Sequence, residues 1–308
     1  MAAINWYPGH MHKASKEMRK IVPQVDLIIE VLDARIPFSS ENPMIGEIRG
    51  DKPCIKVLSK SDLADPEMTK QWQDYFEQEN GVKTIALTTE EPEKMRELLN
   101  LCHKMVPGKR GGDSRVEAMI MGIPNVGKST LINNLAGRMI AKTGNEPAVT
   151  KNQQRIKLEQ DILLLDTPGV LWPKLENQHG GYRLAITGAI KETAVSNDDI
   201  AMYAVGYFRA AYPELLKQRY NLTELSEDEQ QLLEAIGAKR GCLRGGGRVD
   251  LDRAAKIVLT EFRDISIGRI TLETPEMMER ELIEMAELRA EKEAKLAAKK
   301  KKRQPQRG

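Results

Sequence analysis

VEAMIMGIPNVGKST (Val116–Thr130) decides the fold class of this chain. The apolar residues before Gly122 are typical of a buried β-strand, and a helical pattern follows Lys128. Between them, Gly122-x4-Gly127-Lys128-Ser129 matches the P-loop motif, whose backbone amides and lysine surround nucleotide phosphates. A strand before the motif and a helix after it are the context that the motif requires, so we expect a nucleotide site here. The residues predicted to contact the nucleotide are Asn125, Val126, Gly127, Lys128, Ser129 and Thr130.

Apolar runs on both sides of this segment alternate with helical patterns, which predicts a doubly wound, mostly parallel α/β sheet. Further strands are predicted within Val25–Arg35, Pro53–Leu63, Val82–Thr88 and Asp161–Gly169, and Gln154–Glu159 alternates as an antiparallel edge strand does. After about residue 178 the patterns are mainly helical, and Ser226 with Glu229 has the spacing of a capping box.

The predicted organisation has four parts. Residues 1–24 form an N-terminal segment that contains WYPGHM, residues 25–178 form the P-loop domain, residues 179–285 form a helical domain and residues 286–308 form a basic tail. The tail has seven Lys or Arg and no Asp or Glu from Lys295 onward, which suits an anionic partner such as RNA as well as a solvated end.

Polar residues after the P-loop complete a phosphate and metal site. Asp166, in DTPG, ends an apolar run and is a predicted Mg²⁺ ligand together with the Ser129 hydroxyl. The Gly169 amide is placed to contact the γ-phosphate, and Thr150 is the candidate threonine that closes over Mg²⁺. We expect Lys128 to act in catalysis as well as binding, because it neutralises the β- and γ-phosphate oxygens.

The guanine-recognition element has to be sought upstream. Nothing after Gly169 fits the (N/T)KxD pattern, whereas SKSD (Ser59, Lys60, Ser61 and Asp62) follows an apolar run before the P-loop. Asp62 is the residue expected to accept from guanine N1 and N2, and the loop at Ile85–Thr89 is placed beside the base. The order of the motifs therefore predicts a circularly permuted G domain.

These residues resemble the RbgA/YlqF family of permuted ribosome-assembly GTPases. The likeness rests on WYPGHM, DAR (Asp33–Arg35), the KxD element, GIPNVGKST, PAVTKNQQ and LLDTPGV, and it extends to about residue 285. It implies hydrolysis of GTP to GDP during maturation of the large ribosomal subunit, and contact between the helical domain and ribosomal RNA. The chain departs from the family in two places: Ser59 replaces Asn, and Thr88-Thr89 replaces Ser-Ala. Guanine preference is expected to survive, with weaker affinity.

The water-orienting group is an open question in the sequence. Many GTPases have Gln after DxxG, whereas this chain has Val170, which cannot polarise water. His10 is the candidate supported by the resemblance; the alternatives are that WYPGHM packs as a structural cap or contacts RNA. His10 and His12 lack a third metal ligand. Asn125 resembles the P-loop asparagine that holds K⁺ in similar GTPases, so K⁺ is a second candidate cofactor beside Mg²⁺.

Composition limits the remaining possibilities. The chain has 308 residues, 41% of them hydrophobic, and a net charge of +2, which favours no partner class. The three scattered cysteines are typical of reduced thiols, and no secretory signal or membrane span is apparent, so we expect a cytoplasmic protein. Two other functions stay open: a nucleotide-gated RNA-binding module with incidental hydrolysis, and a permuted GTPase that acts on another ribosomal particle.

Overall fold

The computed structural model describes residue 16 and residues 18–88, 91–109, 115–141, 154–167, 177–190 and 196–303, with side chains as far as residue 295. Its central feature is a six-stranded sheet in the order β3-β2-β1-β4-β6-β5. Every neighbouring pair is parallel except β5 with β6, which is antiparallel. The predicted doubly wound sheet and its antiparallel edge strand are therefore confirmed. The strands are β1 Leu27–Asp33, β2 Cys54–Ser59, β3 Val82–Ala86, β4 Val116–Gly122, β5 Gln154–Lys157 and β6 Ile162–Asp166.

The central strands are buried on both faces, as their continuous apolar runs predict. All seven residues of β1 and all five of β6 are buried. The register then determines which residues meet at the carboxyl edge of the sheet. Asp33 pairs with Ser59, Val31 with Gly122, and Ile120 with Asp166. The ends of β2, β1, β4 and β6 consequently form one continuous edge.

Helices cover the sheet, and several begin after a capping residue that is followed by proline. Asp65 caps α3 by accepting from the Glu67 amide at 2.9 Å, and Pro66 occupies the first helical position. Trp72 of the same helix is fully buried, and its indole nitrogen donates to the Glu273 carbonyl at 3.1 Å. The helices of this part are α1 Pro37–Ser40, α2 Pro43–Arg49, α3 Pro66–Phe76, α4 Pro92–Met105 and α5 Lys128–Ala136.

The second half of the chain is helical, as predicted. The helices are α6 Gln178–Ile186, α7 Asn197–Ala211, α8 Pro213–Tyr220, α9 Glu229–Lys239, α10 Leu251–Arg263 and α11 Pro275–Arg303. The apolar face of α10 is buried, and Phe262 on that face stacks on Phe208 of α7 with ring centroids 5.5 Å apart. Arg183 of α6 donates to Glu281 of α11 at 2.9 Å, which fixes the start of α11 against α6.

Residues 270–273, between α10 and α11, return to the sheet half of the molecule. The Leu272 amide donates to the Arg35 carbonyl at 2.8 Å, and the Ile270 amide donates to the Leu63 carbonyl at 3.3 Å. The buried Glu273 carboxylate accepts from the Ser39 amide at 2.9 Å. The helical half therefore contacts the residues that flank β1 and the loop after β2.

One local prediction is wrong, and two domain limits fall inside helices. The cap of α9 is Asp228, whose carboxylate accepts from the Gln231 amide at 2.8 Å, and not Ser226. Glu229 does not complete a capping box, because it is the first residue of α9 and not the third, and its carboxylate pairs with Arg209 at 3.1 Å. The predicted limits at 178 and 285 lie within α6 and α11.

Within the part of the chain that the structure describes, no helix is both long and apolar enough to cross a bilayer.

Candidate nucleotide-binding site

The loop between β4 and α5 has the geometry of a phosphate-binding turn. Gly127 has a φ of +93°, in the left-handed region, and precedes the first turn of α5, which contains no acidic residue. The free amides and the positive end of the helix dipole therefore attract an anion. Gly122 is needed for a different reason: a Cβ there would lie 2.8 Å from the Val31 carbonyl oxygen of β1.

Lys128 and Asp166 form a buried ion pair at this edge. The Lys128 ammonium donates to one carboxylate oxygen of Asp166, and both side chains are almost completely buried. Burial lowers the pKa of Lys128, and the Asp166 carboxylate opposes that shift. The second carboxylate oxygen of Asp166 is buried and has no hydrogen-bond partner among the described residues. Mg²⁺ prefers carboxylate oxygens as ligands. The buried, unpaired oxygen of Asp166 therefore fits the Mg²⁺ role predicted for this residue.

The upstream SKSD loop and the P-loop come together, as the permuted order requires. Lys60 has a left-handed φ of +55°, and its ammonium donates to the Asn125 carbonyl at 2.7 Å. Asp62 is exposed at the tip of the loop, and Ser61 is partly buried, with its amide 3.5 Å from the Leu87 carbonyl oxygen. The loop at Ile85–Thr89 therefore lies beside the SKSD loop as far as it is described, which is to Thr88.

Ser59 contacts the P-loop directly in spite of its short side chain. Its hydroxyl lies within hydrogen-bonding distance of the Val126 carbonyl and 2.8 Å from the Leu32 carbonyl oxygen. A serine thus joins the ends of β1 and β2 to the phosphate loop. The expectation that Ser59 weakens guanine affinity stays a prediction, but the hydroxyl does hold the loop.

The buried carboxylate of Asp33, in the DAR motif, holds Lys60 in place, a role that the sequence did not predict. Asp33 accepts from Lys60 at 2.9 Å, and it accepts from the Arg35 side chain at 2.7 Å and 2.9 Å. Burial favours the neutral carboxyl, but the charges of Arg35 and Lys60 outweigh it and hold the pKa of Asp33 below its usual range. A signal for this role was present: Asp33 is a charged residue at the end of the mostly apolar run Leu27–Leu32.

Asn125 contacts the helical half through its side chain. Its amide nitrogen donates to the Gly188 carbonyl at 3.0 Å, in the turn after α6. Asn125 also has a left-handed φ of +63°, a conformation that asparagine adopts more readily than most residues. The sequence predicts a phosphate or K⁺ contact for Asn125, but it gives no sign of this link to Gly188.

The remaining predicted residues divide into two groups. Ser129 and Thr130 lie in the first turn of α5 and are partly exposed, where a nucleotide could reach them. His10, Thr150, Gly169 and Val170 lie outside the described residues.

The three cysteines take no part in the site. Cys54, Cys102 and Cys242 are buried and free, as the prediction of reduced thiols requires. Burial raises the pKa of both Cys54 and Cys102 to about 12, so neither is a nucleophile near neutral pH.

Comparisons with known proteins agree with this geometry. A family model described as a 50S ribosome-binding GTPase matches residues 117–235, beginning in the P-loop strand. Ribosome biogenesis GTPase A of Priestia megaterium is 47% identical over 287 residues, which is 91% of this chain and 99% of that protein. Its counterpart in Bacillus cereus is 48% identical over 280 residues, with 89% and 94% covered. The crystal structure of GNP-bound YlqF from Thermotoga maritima superposes with a TM-score of 0.61 at 29% identity, covering 86% of this chain and 99% of that one.

Proposed function

Because the chain belongs to the ribosome biogenesis GTPase A family, we propose that it hydrolyses GTP to control its attachment to a precursor of the large ribosomal subunit. The observation that carries the proposal is the contact between Lys60 and the Asn125 carbonyl, which joins a base-recognition loop to a phosphate loop. The likeness to a GNP-bound structure supports the same site. The chain is a GTPase with a circularly permuted G domain, and its role is ribosome assembly.

Guanine recognition is assigned to Asp62. Its carboxylate is exposed on the loop that Lys60 ties to the phosphate site, so it is accessible to a bound base. A carboxylate accepts from guanine N1 and N2, whereas adenine has no matching pair of donors. Ser59 holds the loop through its contact with the Val126 carbonyl, and Lys60 and Ser61 are the further proposed contacts with the nucleotide.

Mg²⁺ is assigned to Ser129 and Asp166, with Thr150 closing over the ion in the triphosphate state. The free, buried oxygen of Asp166 supports this set, as does the position of Ser129 in the first turn of α5. Bound Mg²⁺ neutralises charge on the β- and γ-phosphates. Lys128 supplies a second positive charge. The Lys128 ammonium is now paired with Asp166, and bound phosphates would replace part of that pairing.

Hydrolysis is assigned to a group outside the P-loop, because Val170 cannot orient water. His10 is the proposed group, since its imidazole can accept or donate a proton near neutral pH. Asn125 is the proposed K⁺ ligand beside the phosphates, and the ion would supply the positive charge that an arginine finger supplies in other GTPases. The Gly169 amide is the proposed donor to the γ-phosphate.

Coupling to RNA is assigned to the helical half and the basic tail. Residues 170–177 connect the DTPG segment to α6 in the sequence, and Arg183 of α6 is paired with Glu281 of α11. A change at the γ-phosphate therefore has a covalent route to α6, and the Arg183–Glu281 pair connects α6 to α11 within the helical half. The proposed partner is ribosomal RNA of the large-subunit precursor, and the proposed location is the cytoplasm.

Two measurements on the full chain test this function. Binding of GTP and ATP is compared by titration, and we expect GTP to bind at least about a hundredfold more tightly, because a mismatched base leaves polar groups unpaired. Turnover is then measured with and without large-subunit particles, and stimulation is expected. Equal affinities for the two nucleotides contradict the GTPase assignment. Turnover that large-subunit particles do not stimulate favours an RNA-binding module with incidental hydrolysis. Stimulation only by another ribosomal particle favours a GTPase that acts on that particle.

A further inference from the structure

Arg263, the last residue of α10, is hydrogen-bonded to the end of α6. Its Nε donates to the Ile186 carbonyl at 2.8 Å, and its Nη2 donates to the Ala185 carbonyl at 2.9 Å. Carbonyls in the last turn of a helix have no partner within the helix, and a cation there also interacts favourably with the helix dipole. Arg263 thus fixes the turn that follows α6.

That turn is in contact with the phosphate loop. The Gly188 amide donates to the Ala185 carbonyl at 3.0 Å, so Ala185 accepts from both Arg263 and Gly188. Gly188 has a left-handed φ of +75°, and a Cβ at this position would lie 3.6 Å from Cζ of Arg263. Its carbonyl accepts from the Asn125 amide at 3.0 Å. One turn of backbone therefore lies between the Arg263 guanidinium and the P-loop.

Asn125 is held from two sides. Lys60 donates to its carbonyl at 2.7 Å from the base-recognition side, and Gly188 accepts from its side chain on the helical side. Its left-handed backbone is uncommon for a residue other than glycine, and such conformations persist where the surroundings fix them. If the turn at Gly188 moves, Asn125 loses one of these two contacts, and the amides of the P-loop move with it.

We propose that Arg263 is a positioning residue of the nucleotide site, which acts on the phosphate loop through Ala185, Gly188 and Asn125. Through this residue, the helical half sets the geometry in which phosphates are bound. The inference rests on the proposed binding of GTP at the P-loop. A purely structural role for Arg263, as a cap of α6, would change the stability of the fold but leave nucleotide dissociation unaltered.

The test is a double-mutant cycle on the full chain with a fluorescent GTP analogue. Dissociation rates are measured for the wild type, Arg263→Gln, Asn125→Ala and the double variant, with Arg263→Lys as a conservative variant. Arg219→Gln is the matched control, because Arg219 of α8 pairs with Glu261 of α10, the helix of Arg263, at 2.8 Å. Among the described residues, Arg219 has no hydrogen bond to the turn after α6. Thermal unfolding is recorded for each variant.

The expected result is dissociation about tenfold faster in Arg263→Gln, because two hydrogen bonds from a charged group are lost. Arg263→Lys keeps the positive charge but has a single nitrogen in place of two, so its dissociation rate is expected to lie between those of the wild type and Arg263→Gln. The rate of Arg219→Gln is expected to match that of the wild type. In the Asn125→Ala background, Arg263→Gln is expected to change the rate less than about twofold, since the two residues act through one path.

Three outcomes overturn the proposal: wild-type dissociation in both Arg263 variants, an equal effect of Arg219→Gln, or independent effects of Arg263 and Asn125. If Arg263→Gln fails to fold, the cycle is completed with Arg263→Lys and the same criteria apply. A wild-type chain that does not bind the analogue would instead contradict the proposed function. The two failures are therefore distinguishable.

Discussion

The ammonium of Lys60 lies 2.7 Å from the carbonyl oxygen of Asn125, although 65 positions separate the two residues in the chain. Lys60 follows β2 and Asn125 follows β4, and β1 lies between these strands in the sheet. Asp33, at the end of β1, accepts from the same ammonium at 2.9 Å. The ends of three strands are thereby joined in one polar cluster. The permuted order of the motifs thus produces a compact site, because all three loops leave the same edge.

Asp62→Asn is expected to weaken GTP binding by about a hundredfold, because the amide replaces a charged acceptor for guanine N1 and N2 with a donor and a neutral acceptor. The comparison is made by titration with GTP and with xanthosine triphosphate, whose base has a carbonyl where guanine has its amino group. A relative gain for the xanthine nucleotide is expected. Asp74→Asn, on the exposed face of α3, is the control. Unchanged GTP affinity in Asp62→Asn would remove Asp62 from the base site.

Asp33→Asn is expected to lower the free energy of unfolding by about 3 kcal/mol at pH 7, because buried Arg35 and partly buried Lys60 lose their shared counter-charge. The pKa of Asp33 is held below that of an unfolded aspartate, about 3.9. The stabilisation is therefore complete above that pH and is lost as the pH falls toward the folded-state pKa.

Urea unfolding of the wild type and of Asp33→Asn at pH 7, 5 and 3 measures this dependence. The difference between the two proteins is expected to shrink at pH 3, and a constant difference would show that the ionised carboxylate is not the cause. Asp74→Asn serves again as the control, since its exposed pair with Lys70 contributes at most about 0.5 kcal/mol.

Asp166→Asn is expected to destabilise the nucleotide-free chain by about 3 kcal/mol, because Lys128 loses its partner in a buried site. Bound GDP supplies replacement negative charge, so the nucleotide should raise the unfolding temperature more in the variant than in the wild type. Turnover is expected to fall at least about a hundredfold, because the Mg²⁺ site loses its carboxylate. Thermal unfolding with and without GDP measures the first effect, and single-turnover assays measure the second.

Glu159→Gln is the control for Asp166→Asn, because Glu159 is exposed in the turn before β6. If Asp166→Asn is as stable as the wild type, the ion pair is not a stabilising contact.

His10→Ala is expected to keep nucleotide affinity and to lose turnover by about a hundredfold, the contribution typical of a general acid or base. His12→Ala is the matched control two positions away. Affinity is measured by titration and turnover by phosphate release in the presence of large-subunit particles. Full stimulated turnover in His10→Ala would leave the WYPGHM segment as a structural cap or an RNA contact.

Turnover is expected to be several-fold faster in K⁺ than in Na⁺ at equal ionic strength, because Asn125 is the proposed ligand of a K⁺ ion beside the phosphates. In Asn125→Ala, the ratio of the two rates is expected to approach one. Phosphate release in matched buffers measures both rates. Equal wild-type rates in the two salts would remove K⁺ from the mechanism while leaving the Asn125–Gly188 contact unaffected.

The sheet and the P-loop could be predicted because their signals are local. The run before Gly122 and the motif up to Ser129 identify β4 and the start of α5 within one stretch of chain. The contacts of the site could not be predicted in the same way. Asp33 and Lys60 are 27 positions apart, and Asn125 and Gly188 are 63 apart, so no periodic pattern relates them.

The capping box at Ser226 failed for a related reason. The helix begins at Glu229 with Asp228 as its cap, and the Glu229 carboxylate accepts from Arg209 of another helix. Local spacing indicates which contacts are available, whereas tertiary packing decides which of them form. For the same reason the sequence identifies Asn125 as a loop residue and cannot show that it joins the two halves of the chain.

Co-sedimentation with large-subunit precursor particles, in a non-hydrolysable GTP analogue and in GDP, tests the central claim most directly. The account predicts that the chain sediments with the particles in the analogue and is released in GDP, because the γ-phosphate segment is joined to the helical half through α6. Asp62→Asn is expected to lose this difference at nucleotide concentrations that saturate the wild type. Equal sedimentation of the wild type in both nucleotides would contradict the account.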